Sequence, residues 1–171
     1  PSERVSFLNM SPGNSFLPQY FASLSIILDE SFLNRLHTET IRMLYEPVRP
    51  YGGKIWLKTN AGNRKKIASA FRSLNFGELA IQEGNECLVI TKEGALAGAA
   101  DWTHNYGDIS NTVKSDDKTV KAPLGILWFG GNSNLDVLPR HGHGPSEQVI
   151  DGRLIIQGVN SLSARDVYTG R

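Results

Sequence analysis

Apolar positions in the first ninety-odd residues change period several times, which predicts alternating strands and helices. Val5 to Leu8 is a short apolar run, and Ser11-Pro12-Gly13-Asn14 breaks it as a turn. Leu24-Ser25-Ile26-Ile27-Leu28 reads as a buried strand that ends at Asp29-Glu30. From about 34 to 45, Leu36, Thr40, Ile41, Leu44 and Tyr45 recur three and four residues apart, as on one face of a helix. Pro47 and Pro50 stop that helix, because proline lacks the amide donor that a helix interior needs. Tyr51-Gly52-Gly53 turns the chain into a strand over 54 to 58, with Ile55 and Leu57 facing one way. A second helix opens at Gly62-Asn63, carries Ile67, Phe71 and Leu74 on one face, and gives out near Asn75-Phe76-Gly77. Strands over 79–83 and 86–91 flank Gly84-Asn85, which predicts a terminal hairpin. This order predicts a mostly parallel α/β sheet with an antiparallel edge.

The pattern changes at Glu93. Gly94-Ala95-Leu96-Ala97-Gly98-Ala99-Ala100 is small and featureless, a linker composition, and periodicity stays low up to Pro123. Strand character returns at Leu124 to Phe129, ending at Gly130-Gly131. Val149-Ile150 and Leu154 to Gln157 flank Asp151-Gly152, a pair suited to the positive φ angles of a type I′ hairpin. Ser161 to Asp166 reads as a further strand. Asp166 then sits where its carboxylate can accept backbone hydrogen bonds, and Gly170 where φ can be positive. Three segments follow: an α/β domain over 1–92, a linker over 93–123, and the start of an all-β unit over 124–171.

Composition narrows the function classes. The formal net charge of +1 gives no reason to expect a nucleic-acid partner or an anionic surface. No apolar stretch is long enough to span a bilayer. One cysteine, Cys87, excludes an internal disulfide and a multi-cysteine zinc site, and its place in Cys87-Leu88-Val89-Ile90 predicts a buried core thiol. The start at Pro1 and the stop at Thr169-Gly170-Arg171 read as cuts at both ends, so the compartment is left open.

The element order of residues 4 to 92, with the turn Arg49-Pro50-Tyr51-Gly52-Gly53, is similar to the C-terminal half of class I S-adenosylmethionine-dependent methyltransferases. That resemblance implies a Rossmann-like sheet, and an acceptor substrate near Asp29 and Glu30. The glycine-rich loop and ribose-holding acid of that family would lie upstream of Pro1, so this piece is not expected to bind S-adenosylmethionine well. Asp151-Gly152, the strand through Gln157, Ala164-Arg165-Asp166 and Thr169-Gly170-Arg171 resemble one repeat of a pyrroloquinoline quinone (PQQ) dehydrogenase-like β-propeller. Leu127-Trp128 resembles the closing strand of a preceding repeat. The stretch from Asp101-Trp102-Thr103-His104 to Arg140-His141-Gly142-His143-Gly144 resembles bacterial fusions of a methyltransferase-like domain with a PQQ-binding-like propeller.

The fusion implies PQQ and calcium as cofactors of the intact propeller. As partners it implies the remaining blades and the upstream half of the α/β domain, and a cell-envelope location fits that family. Three activities follow: quinone-dependent oxidation, methyl transfer by the first domain, or a non-catalytic scaffold, since one fold serves many functions.

Few residues suggest chemistry directly. His141 and His143 alternate about Gly142, so both imidazoles can face one site, and His104 with Asp101 or Asp108 could complete a nitrogen-and-oxygen metal site. The plainer reading is a loop held by histidine-to-backbone hydrogen bonds. Trp102 and Tyr106 read either as a stacking surface or as an anchor for the linker. Asp29-Glu30, at a strand's C-terminal end, reads either as a substrate-side pair or as a solvated loop. Arg64-Lys65-Lys66 reads as the exposed start of a helix. Asp151, Gly152, Ala164, Asp166, Thr169 and Gly170 carry the repeat motif and are read as structural. No nucleophile, base and orienting acid can be assembled by spacing.

Overall fold

The computed structural model describes residues 5, 9, 17–29, 31, 37–131, 133–138 and 144–171. The strand at Val5 to Leu8, the turn at 11–14 and the helix start at 34–36 lie outside them, wholly or in large part.

The first unit is a four-stranded mixed sheet. Its strands are β1 (Leu24–Ile27), β2 (Gly53–Lys58), β3 (Leu79–Glu83) and β4 (Cys87–Lys92), in the order β1-β2-β4-β3. Only β1 and β2 run parallel; β4 is antiparallel to both β2 and β3. The 79–92 hairpin folds back so that β4 lies beside β2, with Leu57 opposite Leu88 and Ile55 opposite Ile90. Helices α1 (Thr38–Tyr45) and α2 (Ala61–Ser73) cover the face carrying these residues. Ile41, Leu44, Tyr45, Val48, Ile67, Ala68 and Phe71 complete one core with them. Burying such side chains supplies the main driving force, about 1.5–3 kcal/mol for each fully buried large one.

Local sequence explains how these elements end. Asn60 caps α2, its side chain accepting the Asn63 N–H at 3.1 Å. Asn60→Ala is expected to lower the chain's stability by about 1 kcal/mol, read as a shift in the urea midpoint. In the hairpin, the Gly84 N–H donates to the Cys87 carbonyl at 2.9 Å, so the loop residues are Asn85 and Glu86, one step later than the sequence predicts. α1 ends against an unusual partner. Lys92, 1% exposed, donates from Nζ to the carbonyls of Tyr45 (3.1 Å), the last residue of α1, and of Val48 (2.6 Å), just beyond it, from the end of β4. The ammonium also lies 3.8 Å from the Tyr45 ring centroid.

The second unit is a three-stranded antiparallel meander, β5 (Gln148–Ile150), β6 (Arg153–Gln157) and β7 (Leu162–Asp166), in that order. Asp151 (φ 47°) and Gly152 (φ 72°) form the two-residue turn between β5 and β6. On the β5 edge, Val149 exchanges two backbone hydrogen bonds with Trp102, both 2.9 Å. Residues 124–129 form no strand. They run irregularly, pinned by Trp128, whose Nε1 donates to the Val167 carbonyl at 2.8 Å.

The expected fold class is corrected by this topology. The described chain has seven strands in two open sheets and two α-helices, so it is mainly β and not a Rossmann-like methyltransferase half followed by propeller strands. Two physical causes stand out. Both helices pack on one face of the first sheet, leaving Ile26, Trp56 and Val89 on a face without a described helix, whereas a doubly wound sheet is covered on both. The meander packs against the first sheet's Pro50–Gly53 turn, not against another blade. Two smaller corrections share a cause. β1 is an edge strand with Leu24 and Ile26 more than half exposed and only Ile27 packed against the core, and Cys87 is half-buried on the helix-free face, so neither is a buried core element.

Candidate functional site

The two sheets meet along a polar and aromatic seam built from Arg49 to Gly53 and from the turns flanking β6 and β7. Tyr51 (φ 54°) and Gly52 (φ 94°) swing the chain outward before β2. The Tyr51 ring is thereby brought against Gly152, where an added Cβ would clash with ring atoms Cδ2, Cε2 and Cγ. Tyr168 closes the other side, its ring 5.4 Å from that of Tyr20 and 6.4 Å from that of Tyr51. Burial is the main cause that pushes the Tyr168 hydroxyl up to about 12, with help from the neighbouring Tyr51 and Tyr20. The Tyr51 hydroxyl is raised by burial too, and then by Asp101 and Asp151.

An ion pair crosses the seam. Arg49 Nη1 lies 2.9 Å from Asp166 Oδ2, and both side chains are less than a quarter exposed. The same guanidinium donates to the carbonyls of Pro50 and Tyr51 at 3.1 and 2.8 Å, which fixes its direction. Asp166 is held as firmly. Its Oδ1 accepts from Tyr168 N–H, Thr169 N–H and the Thr169 hydroxyl at 2.8–3.0 Å. Gly170 (φ 71°) returns its amide to the Asp166 carbonyl at 2.8 Å and packs under the Trp128 ring.

Two cavities flank Gly152. One, of about 220 Å³, is lined by Arg49, Arg153, Arg165 and Arg171 together with Asp151 and Asp166. The other, of about 330 Å³, has walls from Tyr51, Trp102 and Tyr168. Asp117 also borders the larger one. Burial alone would raise its carboxyl, but hydrogen bonds from Thr119, Val120 and Ala100 outweigh that and hold it low.

The motif residues Asp151, Gly152, Ala164, Asp166 and Gly170 all lie at or beside the seam, with Thr169 bonded to Asp166. Of the histidines proposed for a metal site, His141 and His143 lie outside the described residues. His104 is exposed, its Nδ1 2.8 Å from the Thr103 hydroxyl. Among the described residues no group of three His, Cys, Asp or Glu side chains could hold a metal ion. Asp108 instead closes a local turn, and hydrogen bonds from the Thr112 side chain and backbone lower its carboxyl pKa. Asp29 follows β1, exposed; hydrogen bonding with Ser31, side chain first and then backbone, lowers it, while Glu30 lies outside the described residues. Trp102 is bridged to Val149 and packs on Gly107, and Tyr106 is half exposed. Lys65 and Lys66 are exposed, while Arg64 donates to the Gly84 carbonyl. Ser146 bonds only to Asn105 among the described residues.

Sequence reasoning passed over Arg49, Tyr168 and Lys92 as functional or structural centres. The turn Arg49-Pro50-Tyr51-Gly52-Gly53 was the one available signal, since two consecutive glycines after a tyrosine mark a forced turn. The partner of Arg49 could not be read from spacing. Comparisons of the chain with protein-family profiles, with curated proteins and with solved structures give no match.

Proposed function

We propose that this chain is a non-catalytic interaction scaffold that takes up an extended segment of a partner as an added strand along β7. The observation that carries the reading is the phase of the β6–β7 ladder. Val167 N–H donates to the Gly152 carbonyl at 2.8 Å, and Gly158 N–H to the Ser161 carbonyl at 2.8 Å. With the register Ile156 opposite Ser163 and Leu154 opposite Arg165, the inward-bonded residues of β7 are Ser163 and Arg165. The main-chain donors and acceptors of Leu162 and Ala164 therefore turn outward, where among the described strands β7 has no second neighbour. β7 carries no proline or lysine to blunt that edge, and Leu162 is 75% exposed. The β5 edge differs, because Trp102 already covers it. The Arg49–Asp166 pair and the tyrosine cluster give the edge a rigid support on the first sheet. An incoming strand would gain backbone hydrogen bonds along β7, with alternate side chains setting specificity.

The test is selection of displayed nine-residue peptides on the wild-type chain and on Ala164→Pro, which removes an outward N–H. Enrichment of peptides with alternating apolar residues, and at least tenfold weaker binding of the same peptides to the variant, is the expected result. The rival activities are tested by calorimetry on a chain extended in both directions. Heat from PQQ with Ca²⁺ would replace the scaffold by quinone chemistry, and heat from S-adenosylmethionine would replace it by methyl transfer.

A further inference from the structure

From the arginine-lined cavity on the seam we infer a binding site for a phosphate-sized oxyanion, a reading that does not rest on strand addition although β7 supplies part of the lining. Four arginines line it against two aspartates, so the lining carries two net positive charges if all six are ionised. The aspartates do not offset this evenly. Asp166 is already engaged, its Oδ2 by Arg49 and its Oδ1 by three donors of the Tyr168–Thr169 turn. Asp151 is exposed at the hairpin tip, with its own N–H 3.5 Å from Asp101 Oδ2.

The arginines fall into two pairs with different jobs. Arg49 and Arg165 are half-buried and fixed, Arg49 by two carbonyls and Asp166, and Arg165 by donation from Nη1 to the Gly170 carbonyl at 3.0 Å. Arg153 and Arg171 are exposed at the rim and can move onto a ligand. Guanidinium groups present planar, paired donors that match tetrahedral oxyanions, and they stay charged at any physiological pH. A volume of about 220 Å³ admits a phosphate or a small phosphate monoester. Because the lining comes from the Arg49–Tyr51 turn and from β6–β7, an anion held there bridges the two sheets.

The experiment titrates inorganic phosphate, then phenyl phosphate, into the isotope-labelled chain at low salt and follows backbone amide shifts. Arg153→Gln and Arg165→Gln are made alongside, leaving the Arg49–Asp166 pair in place, and unchanged amide spectra away from the cavity certify that each variant is folded. Binding at about 1 mM or tighter is expected, with shifts at Gly152, Arg153 and Asp166. Either variant should weaken it at least tenfold, acetate should bind at least tenfold more weakly, and raising the salt to about 0.5 M should remove most of the affinity. Shifts scattered over the surface, affinity unchanged in both variants, or no saturation by phosphate would each overturn the site. Inorganic phosphate and the phenyl ester binding equally would assign a free-anion site. Preference for the ester would assign an organic phosphate.

Discussion

Gly152→Ala is expected to cost about 3 kcal/mol, and to loosen the meander while leaving the helix-backed sheet folded. Two effects add at this position. A left-handed backbone at φ 72° costs an L-residue about 1 kcal/mol, and crowding in a packed site adds about 1–3 kcal/mol. The crowding is specific, because the new Cβ would clash with Cδ2, Cε2 and Cγ of the Tyr51 ring. A double-mutant cycle separates the two effects. In a Tyr51→Ala background the same Gly152→Ala change should cost only the backbone part, about 1 kcal/mol. Amide exchange should show protection lost over 148–166 and kept over 53–58 and 87–92. Equal loss across both sheets would mean that they unfold as one and that the seam is not a separable joint.

The second large effect is in the pH dependence, and it comes from Lys92. Burial lowers its pKa from 10.5 to about 8 in the folded chain, and nearby Glu46 opposes only part of that shift. Below pH 8 both the folded and the unfolded chain carry the proton, and the burial penalty is constant. Between 8 and 10.5 the unfolded chain keeps the proton that the folded chain has released, so stability rises with pH. Tyrosines act in the opposite sense above that window. Tyr45 and Tyr168 are pushed up to about 12, mainly by burial, so from about 10 upward the unfolded phenols ionise first and stability falls. The chain should therefore be most stable near pH 10, about 2 kcal/mol above its value at pH 7. Urea midpoints from pH 6 to 11.5 check this, and Lys92→Met should abolish the rise while leaving the alkaline fall. A maximum near neutrality in the wild-type chain would contradict the buried ammonium. Lys92→Ala should cost about 2 kcal/mol at pH 7, by leaving the Val48 carbonyl unserved in the core while the Tyr45 carbonyl keeps only the Val48 N–H at 3.2 Å.

What was legible in the sequence was local. Ile67 and Phe71 mark a helix by their spacing, Asp151-Gly152 marks a tight hairpin, and Asp166 followed by Thr169-Gly170 marks a turn; these depend on neighbours in the chain. Strand direction was not legible. The same apolar residues Leu88 and Ile90 fit an edge position or a position between β2 and β3, and only tertiary pairing selects the second, which makes the sheet mixed. Leu124 to Phe129 has strand composition, yet Trp128 is fastened to Val167 by its indole N–H and no ladder forms. Lys92 falls just past the strand predicted over 86–91, and nothing local shows that the carbonyls of Tyr45 and Val48 lie within its reach. The seam was hidden for the same reason: Arg49 and Asp166 are far apart in the chain, and a resemblance to repeat or transferase motifs carries no information about how two units dock.

The measurement that bears most directly on the scaffold is residue-resolved amide exchange along β7, in the free chain and with a selected strand peptide bound. In the free chain the amides of Ser163 and Arg165 should exchange slowly and those of Leu162 and Ala164 fast, and the peptide should slow the latter two at least tenfold. Slow exchange at Leu162 and Ala164 before any peptide is added, or no change when it binds, would contradict an open edge on β7.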